Sequence, residues 1–267
     1  MSDIKIALVG AAGRMGKEIT RAAMAHPHTR IGAAVEYDGS PLLGKDIGEL
    51  AQTGALGVPV MADLLTAAAS CDVILDVSLA TAADHVIDVA VQLKKPLVCG
   101  ITGVSDATLE KIARAAAHIP VIHSKNFSVG VAVLSSLVKQ AAAILGNDYD
   151  IEIVEKHHNK KVDAPSGTAQ ILADSILGMK EDGRCIYGRE GLTGARSPSE
   201  IGVHALRGGG IFGEHTVYFI GQNERLELGH VAHTRALFAE GAVRTAAFIA
   251  SAAVGQYTMA DVLGLQK

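Results

Sequence analysis

The chain has 267 residues, of which 49% are hydrophobic and 19% charged, and its formal net charge is −4. This length accommodates one large domain or two modest ones, and the composition is typical of a globular protein and excludes extended disorder. The slightly acidic balance disfavours a nucleic-acid partner, which needs a clustered positive surface, and no apolar run reaches the length that spans a membrane.

Strands and helices are predicted to alternate through the first half of the chain. Short aliphatic runs indicate buried strands at Ile4–Val9, Ile31–Glu36, Val58–Met61, Val73–Val77, Pro96–Cys99 and Ile119–Ile122. Helical patterns cover Arg14–Ala25, His85–Leu93 and Asp106–Ala117. This alternation predicts an α/β fold with a doubly wound parallel sheet of the Rossmann type.

The pattern changes after about residue 127. Helices are predicted at Val129–Leu145, Thr168–Leu177 and Phe238–Ala253, and strands at Ile151–Glu155, 200–206, 214–220 and 225–232. Glycine-rich turns between the last three strands favour hairpins, so we expect a second, α+β domain built on a mixed, mostly antiparallel sheet. The expected domains are 1–127, completed by a C-terminal helix within 238–267, and 128–237.

A glycine-rich loop lies between the first strand and the first helix, in the segment Gly10-Ala11-Ala12-Gly13-Arg14-Met15-Gly16. Gly10 permits a tight turn, Gly13 lets the backbone approach a pyrophosphate, and Gly16 allows the helix to pack closely. The free N–H groups of the helix N-terminus attract phosphates. The GxxGxxG spacing is also compatible with an ordinary turn, but the order of strand, loop and helix favours dinucleotide binding.

The acidic residue Glu36 ends the second predicted strand, where a carboxylate accepts hydrogen bonds from an adenine ribose. A carboxylate suits the ribose hydroxyls of NADH and repels the 2′-phosphate of NADPH, and Tyr37 follows it where an arginine would favour that phosphate. Arg14 and Lys17 lie near enough in sequence to reach a phosphate. We therefore expect NADH or NADPH as the cofactor, with a preference for NADH.

The run from Glu155 to Thr168, with the sequence EKHHNKKVDAPSGT, holds two histidines and three lysines close together. Repulsion among cations should lower the pKa of some of them, which suits a proton donor near neutral pH. Ser166 is placed to cap the next helix, whose free N–H groups can bind a carboxylate. The run favours a site for an anionic substrate. A solvated basic face is the simpler alternative, and a zinc site lacks a third ligand.

This run resembles the signature of the dihydrodipicolinate (4-hydroxy-tetrahydrodipicolinate) reductases of bacterial and plant lysine biosynthesis. The similarity extends along nearly the whole chain, through the glycine loop and the segments 100–103, 126–130, 189–194 and 213–216. The resemblance implies reduction of 4-hydroxy-tetrahydrodipicolinate to tetrahydrodipicolinate with NADH or NADPH, in the diaminopimelate route. It also implies a homotetramer formed through the sheet of the second domain, acting on a small dicarboxylate.

The same resemblance assigns roles to individual residues. His157 is expected to be the acid/base histidine and Lys161 the proton-donor lysine. Substrate contacts are expected from His158, Lys161, Ser166, Gly167 and Thr168. Cofactor contacts are expected from Gly10, Ala11, Ala12, Gly13, Arg14, Met15, Glu36, Gly100, Ile101, Thr102, Ser124, Lys125, Asn126 and Phe127. No metal site is implied.

Several positions depart from the family pattern. Tyr37 replaces the arginine that some members use for the 2′-phosphate, and the segment 78–80 lacks a second arginine, so both weaken the case for NADPH. Ile101 replaces a threonine. Lys125 stands where a small residue or proline is usual, and the sequence offers no account of it.

Two other functions are compatible with the sequence. One is a dehydrogenase of another small amino or keto acid, although the run 155–168 does not resemble those enzymes. The other is a non-catalytic NADH sensor, although a DNA-binding helix pair or basic face is not apparent.

The cysteines Cys71, Cys99 and Cys185 are few and widely spaced, which disfavours disulfides, and no signal peptide is apparent. We expect a cytoplasmic protein with no membrane or nucleic-acid partner.

Overall fold

The computed structural model describes residues 3–180 and 182–265. Residues 1, 2, 181, 266 and 267, which the predicted domain ranges include, lie outside the described part of the chain. The chain forms two compact units, one made of residues 1–129 with 236–267 and the other of residues 130–235. Within the described ranges, no helix has both the length and the apolar character needed to cross a bilayer.

The regular elements of the described ranges are numbered here in chain order. The strands are β1 (Ile4–Val9), β2 (Thr29–Val35), β3 (Val60–Met61), β4 (Val73–Asp76), β5 (Leu97–Cys99), β6 (Pro120–His123), β7 (Asp150–His157), β8 (Arg184–Tyr187), β9 (Glu200–Arg207), β10 (Glu214–Ile220), β11 (Arg225–Val231) and β12 (Gly255–Tyr257). The helices are α1 (Arg14–Ala25), α2 (Ile47–Ala51), α3 (Leu64–Ala68), α4 (Ala83–Leu93), α5 (Asp106–Ala115), α6 (Val129–Leu145), α7 (Gly167–Leu177), α8 (Ala236–Ile249) and α9 (Met259–Leu263). A short 3₁₀ helix at Ala80–Ala82 precedes α4.

The first unit contains a seven-stranded sheet in the order β3-β2-β1-β4-β5-β6-β12, and all its pairings are parallel. Helices α3, α4 and α5 bury one face of this sheet, while α8 lies against β4, β5 and β6 and packs on α1. The strand order reverses between β1 and β4, and dinucleotides bind in the crevice at such a reversal. The predicted Rossmann-type fold is confirmed.

The second unit contains a five-stranded sheet in the order β11-β10-β7-β9-β8, and α6 and α7 supply its core with apolar side chains. Alternate residues of β7 are buried, because one face of the sheet meets these helices and the other does not. The sheet is mixed, as predicted. Its four pairings divide equally between antiparallel and parallel, since the unpredicted strand β8 runs parallel to β9. The predicted predominance of antiparallel pairing is therefore not observed.

Candidate cofactor and substrate sites

The glycine loop of the first unit turns where the sequence predicts it. Gly10 has a φ of +76°, and a Cβ added there would lie 2.9 Å from backbone atoms of Ser78. A side chain is thus excluded by both conformation and space. A Cβ on Gly16 would lie 2.3 Å from the carbonyl oxygen of Ala11, so Gly16 lets α1 pack against the loop itself. Arg14 and Met15 form the start of α1, whose N-cap is Gly13.

Glu36 is held against this loop, because its Oε1 accepts a hydrogen bond of 2.8 Å from the N–H of Ala12. A cavity of about 510 Å³ opens beside it, a size typical of small-molecule pockets. Its lining includes Gly10, Gly13, Glu36, Tyr37, Asp38 and His85. Among the described residues that line the cavity, Glu36 and Asp38 carry carboxylates, and none is a lysine or arginine. This lining favours the hydroxyl groups of a ligand over a phosphate group.

The predicted cofactor segments 100–102 and 124–127 are joined to each other at the carboxyl ends of β5 and β6. His123 Nε2 lies 3.0 Å from the carbonyl oxygen of Ile101. A Cβ on Gly100 would lie 2.9 Å from the ring of Phe127, so the two segments are closely packed. Phe127 and Ile101 are buried, Thr102 and Lys125 are exposed, and the other members of the two segments are partly exposed.

Asp76, which was not among the predicted site residues, is the last residue of β4 and lies beside the glycine loop. Its side chain accepts hydrogen bonds from both the N–H and the hydroxyl of Ser78, at 2.9 and 2.6 Å. Its backbone carbonyl accepts another from Gly100 at 2.8 Å. Burial raises the pKa of Asp76 to about 6, although the bonds from Ser78 oppose that rise. Asp76 therefore fixes the backbone at the carboxyl ends of β4 and β5. A carboxylate at the end of a buried strand was the available signal.

The centre of the site in the second unit is Glu155, which is fully buried on β7. Its two oxygens accept hydrogen bonds of 2.8 Å from the two terminal nitrogens of Arg207. The carboxylate also accepts from the N–H of Ser166 at 3.0 Å and faces His157 Nδ1 at 2.6 Å. Because Nδ1 is engaged by the carboxylate, Nε2 is the nitrogen of His157 that remains for chemistry.

Ser166 is the N-cap of α7, as predicted. Its hydroxyl oxygen accepts a hydrogen bond of 3.1 Å from the N–H of Ala169. Gly167 and Thr168 form the start of the helix, and a Cβ on Gly167 would meet no atom within 4 Å. The first turn of α7 is therefore anchored to Glu155 through Ser166 and has open space beside it.

His215 on β10 joins the predicted residues, although the sequence analysis gave it no role. Its ring lies edge-on to that of His157, with 5.2 Å between centroids, and its Nε2 lies 2.9 Å from Ser166 Oγ. Burial lowers the pKa of His215 to about 3, and the neighbouring charge of His157 adds to the effect. The similarity of the segment 213–216 to a family segment was the only available signal for this residue.

The cations of the basic run are largely matched with carboxylates. Lys161 Nζ lies 2.8 Å from Asp163, and Lys156 Nζ lies 3.1 Å from Glu214 on the neighbouring strand. Arg207 also donates to the carbonyl oxygen of Asp163 at 2.7 Å. Carboxylates at Asp163 and on β10 therefore offset part of the positive charge of the run.

His158 follows β7, and its backbone N–H donates to the carbonyl oxygen of Ile211 at 2.8 Å. Its Nδ1 is buried and has no hydrogen-bond partner among the described residues.

Glu155 keeps a pKa below its ordinary value: burial raises it, but the bonds from Arg207, His157 and the N–H of Ser166 outweigh burial. No cluster of three potential metal ligands occurs in the ranges 3–180 and 182–265.

Comparison with known proteins covers both units. The family model "Dihydrodipicolinate reductase, N-terminus" matches residues 4–127, and "Dihydrodipicolinate reductase, C-terminus" matches residues 130–263. Proteins named 4-hydroxy-tetrahydrodipicolinate reductase are 43% identical in Halorhodospira halophila and 47% identical in an Anaeromyxobacter species. Each alignment covers 98% of this chain and 100% or 98% of the relative. A dipicolinate-bound dihydrodipicolinate reductase from Paenisporosarcina has a similar fold, with a TM-score of 0.73 and 24% identity over 96% of this chain and 97% of that one.

Proposed function

The chain belongs to the dihydrodipicolinate reductase family, and we propose that it reduces 4-hydroxy-tetrahydrodipicolinate to tetrahydrodipicolinate with NADH or NADPH. The reaction consumes one hydride and one proton, and it releases water and the oxidised dinucleotide. The observation that carries the proposal is the arrangement around Glu155, which holds an imidazole and the N-terminus of α7 together on a single buried carboxylate. An acid/base group and a carboxylate-binding group are what a dicarboxylate reduction requires.

The first unit supplies the features expected of a dinucleotide site. Gly10 and Gly16 admit a tight loop at the reversal of strand order, and Glu36 presents a carboxylate at the adenosine end of the crevice. Bound NAD(P)H supplies the hydride. Cofactor contacts are proposed for Gly10 to Met15, Glu36, Gly100 to Thr102 and Ser124 to Phe127.

The second unit supplies the groups that hold the substrate and handle the proton. We assign the substrate carboxylates to Lys161, His158 and the first turn of α7 at Ser166, Gly167 and Thr168, through charge-assisted hydrogen bonds. His157 offers its Nε2 to the ring, because Glu155 fixes Nδ1. Loss of the 4-hydroxyl group as water first gives a conjugated imine, and the hydride then reaches C4 of that imine. The proton that completes the reduction, at C3 of the resulting enamine, comes from His157 or Lys161.

The acidic lining beside Glu36 supports a preference for NADH. The 2′-phosphate of NADPH would enter a cavity that carries Glu36 and Asp38, with Tyr37 in place of an arginine. Steady-state kinetics with both cofactors test the preference, and a higher kcat/KM with NADPH would refute it.

The open face of the second sheet supports assembly into a homotetramer. This face carries the exposed aliphatic side chains Leu206, Ile220 and Val231, and their register places them on the side away from α6 and α7. Apolar side chains exposed on a sheet face supply surface that a second copy of the chain can bury. Sedimentation velocity of the unmodified chain and of Ile220→Asp tests this assignment. A monomer in both cases would exclude it.

We also propose that the enzyme acts in the cytoplasm, within lysine biosynthesis, where NAD(P)H is available and the free thiols of Cys71 and Cys99 stay reduced. Cell fractionation tests the location.

The activity is tested by adding freshly prepared substrate to the protein and NADH. Loss of NADH absorbance is expected, whereas an NADH sensor would bind the cofactor and turn nothing over. Ring reduction of this substrate also separates the proposal from a dehydrogenase of another small amino or keto acid, which no observation favours.

A further inference from the structure

The hydroxyl group of Ser166 has two hydrogen-bond neighbours among the described residues. A serine hydroxyl accepts through two lone pairs and donates one proton. One lone pair of Ser166 Oγ accepts the N–H of Ala169 at 3.1 Å. The other neighbour is His215 Nε2 at 2.9 Å. The direction of this second hydrogen bond decides whether the Ser166 proton is available to a ligand.

The surroundings of His215 determine that direction. Only 3% of the residue is exposed, and its Nδ1 has no hydrogen-bond partner among the described residues. Since burial lowers its pKa to about 3, the ring is neutral and carries one proton. A proton on Nδ1 would leave a buried donor without an acceptor, which folded proteins rarely tolerate. Placing the proton on Nε2 leaves Nδ1 as an unpaired acceptor instead, which folded proteins tolerate more often, so this tautomer is favoured and Nε2 donates to Ser166 Oγ.

We infer that His215 is a positioning residue that keeps the hydroxyl proton of Ser166 free to bind a substrate carboxylate. With both lone pairs of Oγ filled by Ala169 and His215, the hydroxyl must donate elsewhere. Ser166 itself is buried, and the open space lies at the adjoining residue, because a Cβ on Gly167 would meet no atom within 4 Å. This inference rests on the proposed function, and it explains why a buried neutral histidine lies behind the N-cap of α7.

The test compares two amides at position 215. Glutamine carries an N–H₂ group where histidine carries Nε2, so His215→Gln keeps the donor to Ser166. Asparagine places its N–H₂ near the position of Nδ1, so His215→Asn keeps polarity and loses that donor. His215→Leu removes both. Dissociation constants for dipicolinate, measured by calorimetry in the presence of NADH, report carboxylate binding. NADH affinity, measured from cofactor fluorescence, reports that each variant is folded.

We expect His215→Asn and His215→Leu to weaken dipicolinate binding roughly tenfold, the effect of one hydrogen bond to a charged group, and His215→Gln to stay within about threefold. In a Ser166→Ala background the three substitutions should have equal effects, because the hydroxyl they act through is gone. The inference would be overturned if His215→Asn bound dipicolinate with wild-type affinity. It would also be overturned if His215→Asn and His215→Leu weakened dipicolinate binding by the same factor in the Ser166→Ala background as in the wild type. Turnover of 4-hydroxy-tetrahydrodipicolinate by the unmodified chain decides the proposed function independently of this series.

Discussion

Replacing Glu155 with glutamine tests whether a single buried carboxylate supports both the stability and the chemistry of the second unit. The glutamine side chain has nearly the same shape but can accept hydrogen bonds with only one terminal atom. Four N–H groups converge on Glu155, two of them from Arg207 at 2.8 Å. Glu155→Gln therefore places an N–H₂ group against at least one donor and leaves the guanidinium without its charged partner.

The expected loss of unfolding free energy at neutral pH is about 3 kcal/mol, as for breaking a buried ion pair. The low end of the usual range applies because 21% of the Arg207 side chain stays exposed and can be solvated. The expected loss of kcat/KM is about 100-fold, the smaller end of general acid/base contributions, since His157 loses the acceptor that orients its ring. Urea unfolding followed by circular dichroism and NADH oxidation measure the two effects.

The stability difference should depend on pH in a defined direction. The folded-state pKa of Glu155 lies below its ordinary value of 4.5, so its ionised form stabilises the fold above that pH. That stabilisation is lost as the pH falls through the lowered pKa. Glu155→Gln has no such group, so the gap between wild type and variant should be full near pH 7 and should narrow below pH 4.5. A gap that widened in acid would refute this account.

Glu152→Gln is the matched control. Glu152 lies on the same strand, pairs with Arg189 and Arg196 at 2.9 and 3.1 Å, and faces the opposite side of the sheet. Burial opposes the shift, but the bonds from Arg189, His204 and Arg196 hold the pKa of Glu152 at about 2. This variant should lose stability without a comparable loss of kcat. Equal losses of kcat in both variants, at the same oligomeric state, would mean that the role of Glu155 is only structural.

Three further predictions concern the cofactor loop, cofactor choice and the proton donor. Gly10→Ala should cost about 2 kcal/mol of stability and weaken NADH binding, because φ at Gly10 is +76°; thermal unfolding and NADH titration check this, and an unchanged melting temperature contradicts it. Tyr37→Arg should raise kcat/KM for NADPH about tenfold through a charge-assisted contact with the 2′-phosphate, while Glu36 keeps NADH usable; equal gains for both cofactors would reject that cause. Lys161→Ala should lower kcat/KM about 100-fold. Lys161→Arg keeps the charge beside Asp163 but cannot release a proton, so a wild-type kcat in that variant would assign the proton to His157.

The fold follows from the sequence wherever a hydrophobic pattern is long or strongly β-branched. Helix α1 and strand β1 occupy the residues that the pattern predicts, because an apolar stripe and a buried aliphatic run are both unambiguous. The short elements α2, α3 and α9 were not predicted, since five residues are too few to establish a period. Strand β8, with its sequence RCIY, is partly exposed and has no alternating pattern. Tertiary pairing with β9 determines its conformation.

The candidate sites divide in the same way. The loop at Gly10 and the N-cap at Ser166 are local features, so the sequence predicts them with their mechanism. The partners that give the second site its chemistry, Arg207 and His215, lie on other strands and far along the chain. Composition alone also predicted repulsion within the basic run, where the structure pairs Lys161 with Asp163 and Lys156 with a carboxylate on β10.

Strand register explains why these distant groups meet. His157 lies opposite Arg207 in the parallel pair β7–β9, and Glu155 lies opposite His215 in the antiparallel pair β7–β10. Because side chains alternate along a strand, Glu155 and His157 share one face, and a shift of either neighbouring strand by one residue would turn Arg207 or His215 away. The same alternation places Glu152 on the other face, which makes it a control. The chemistry of the site is therefore specified by the apolar residues that set the register, such as Ile153 opposite Val203 and Val217.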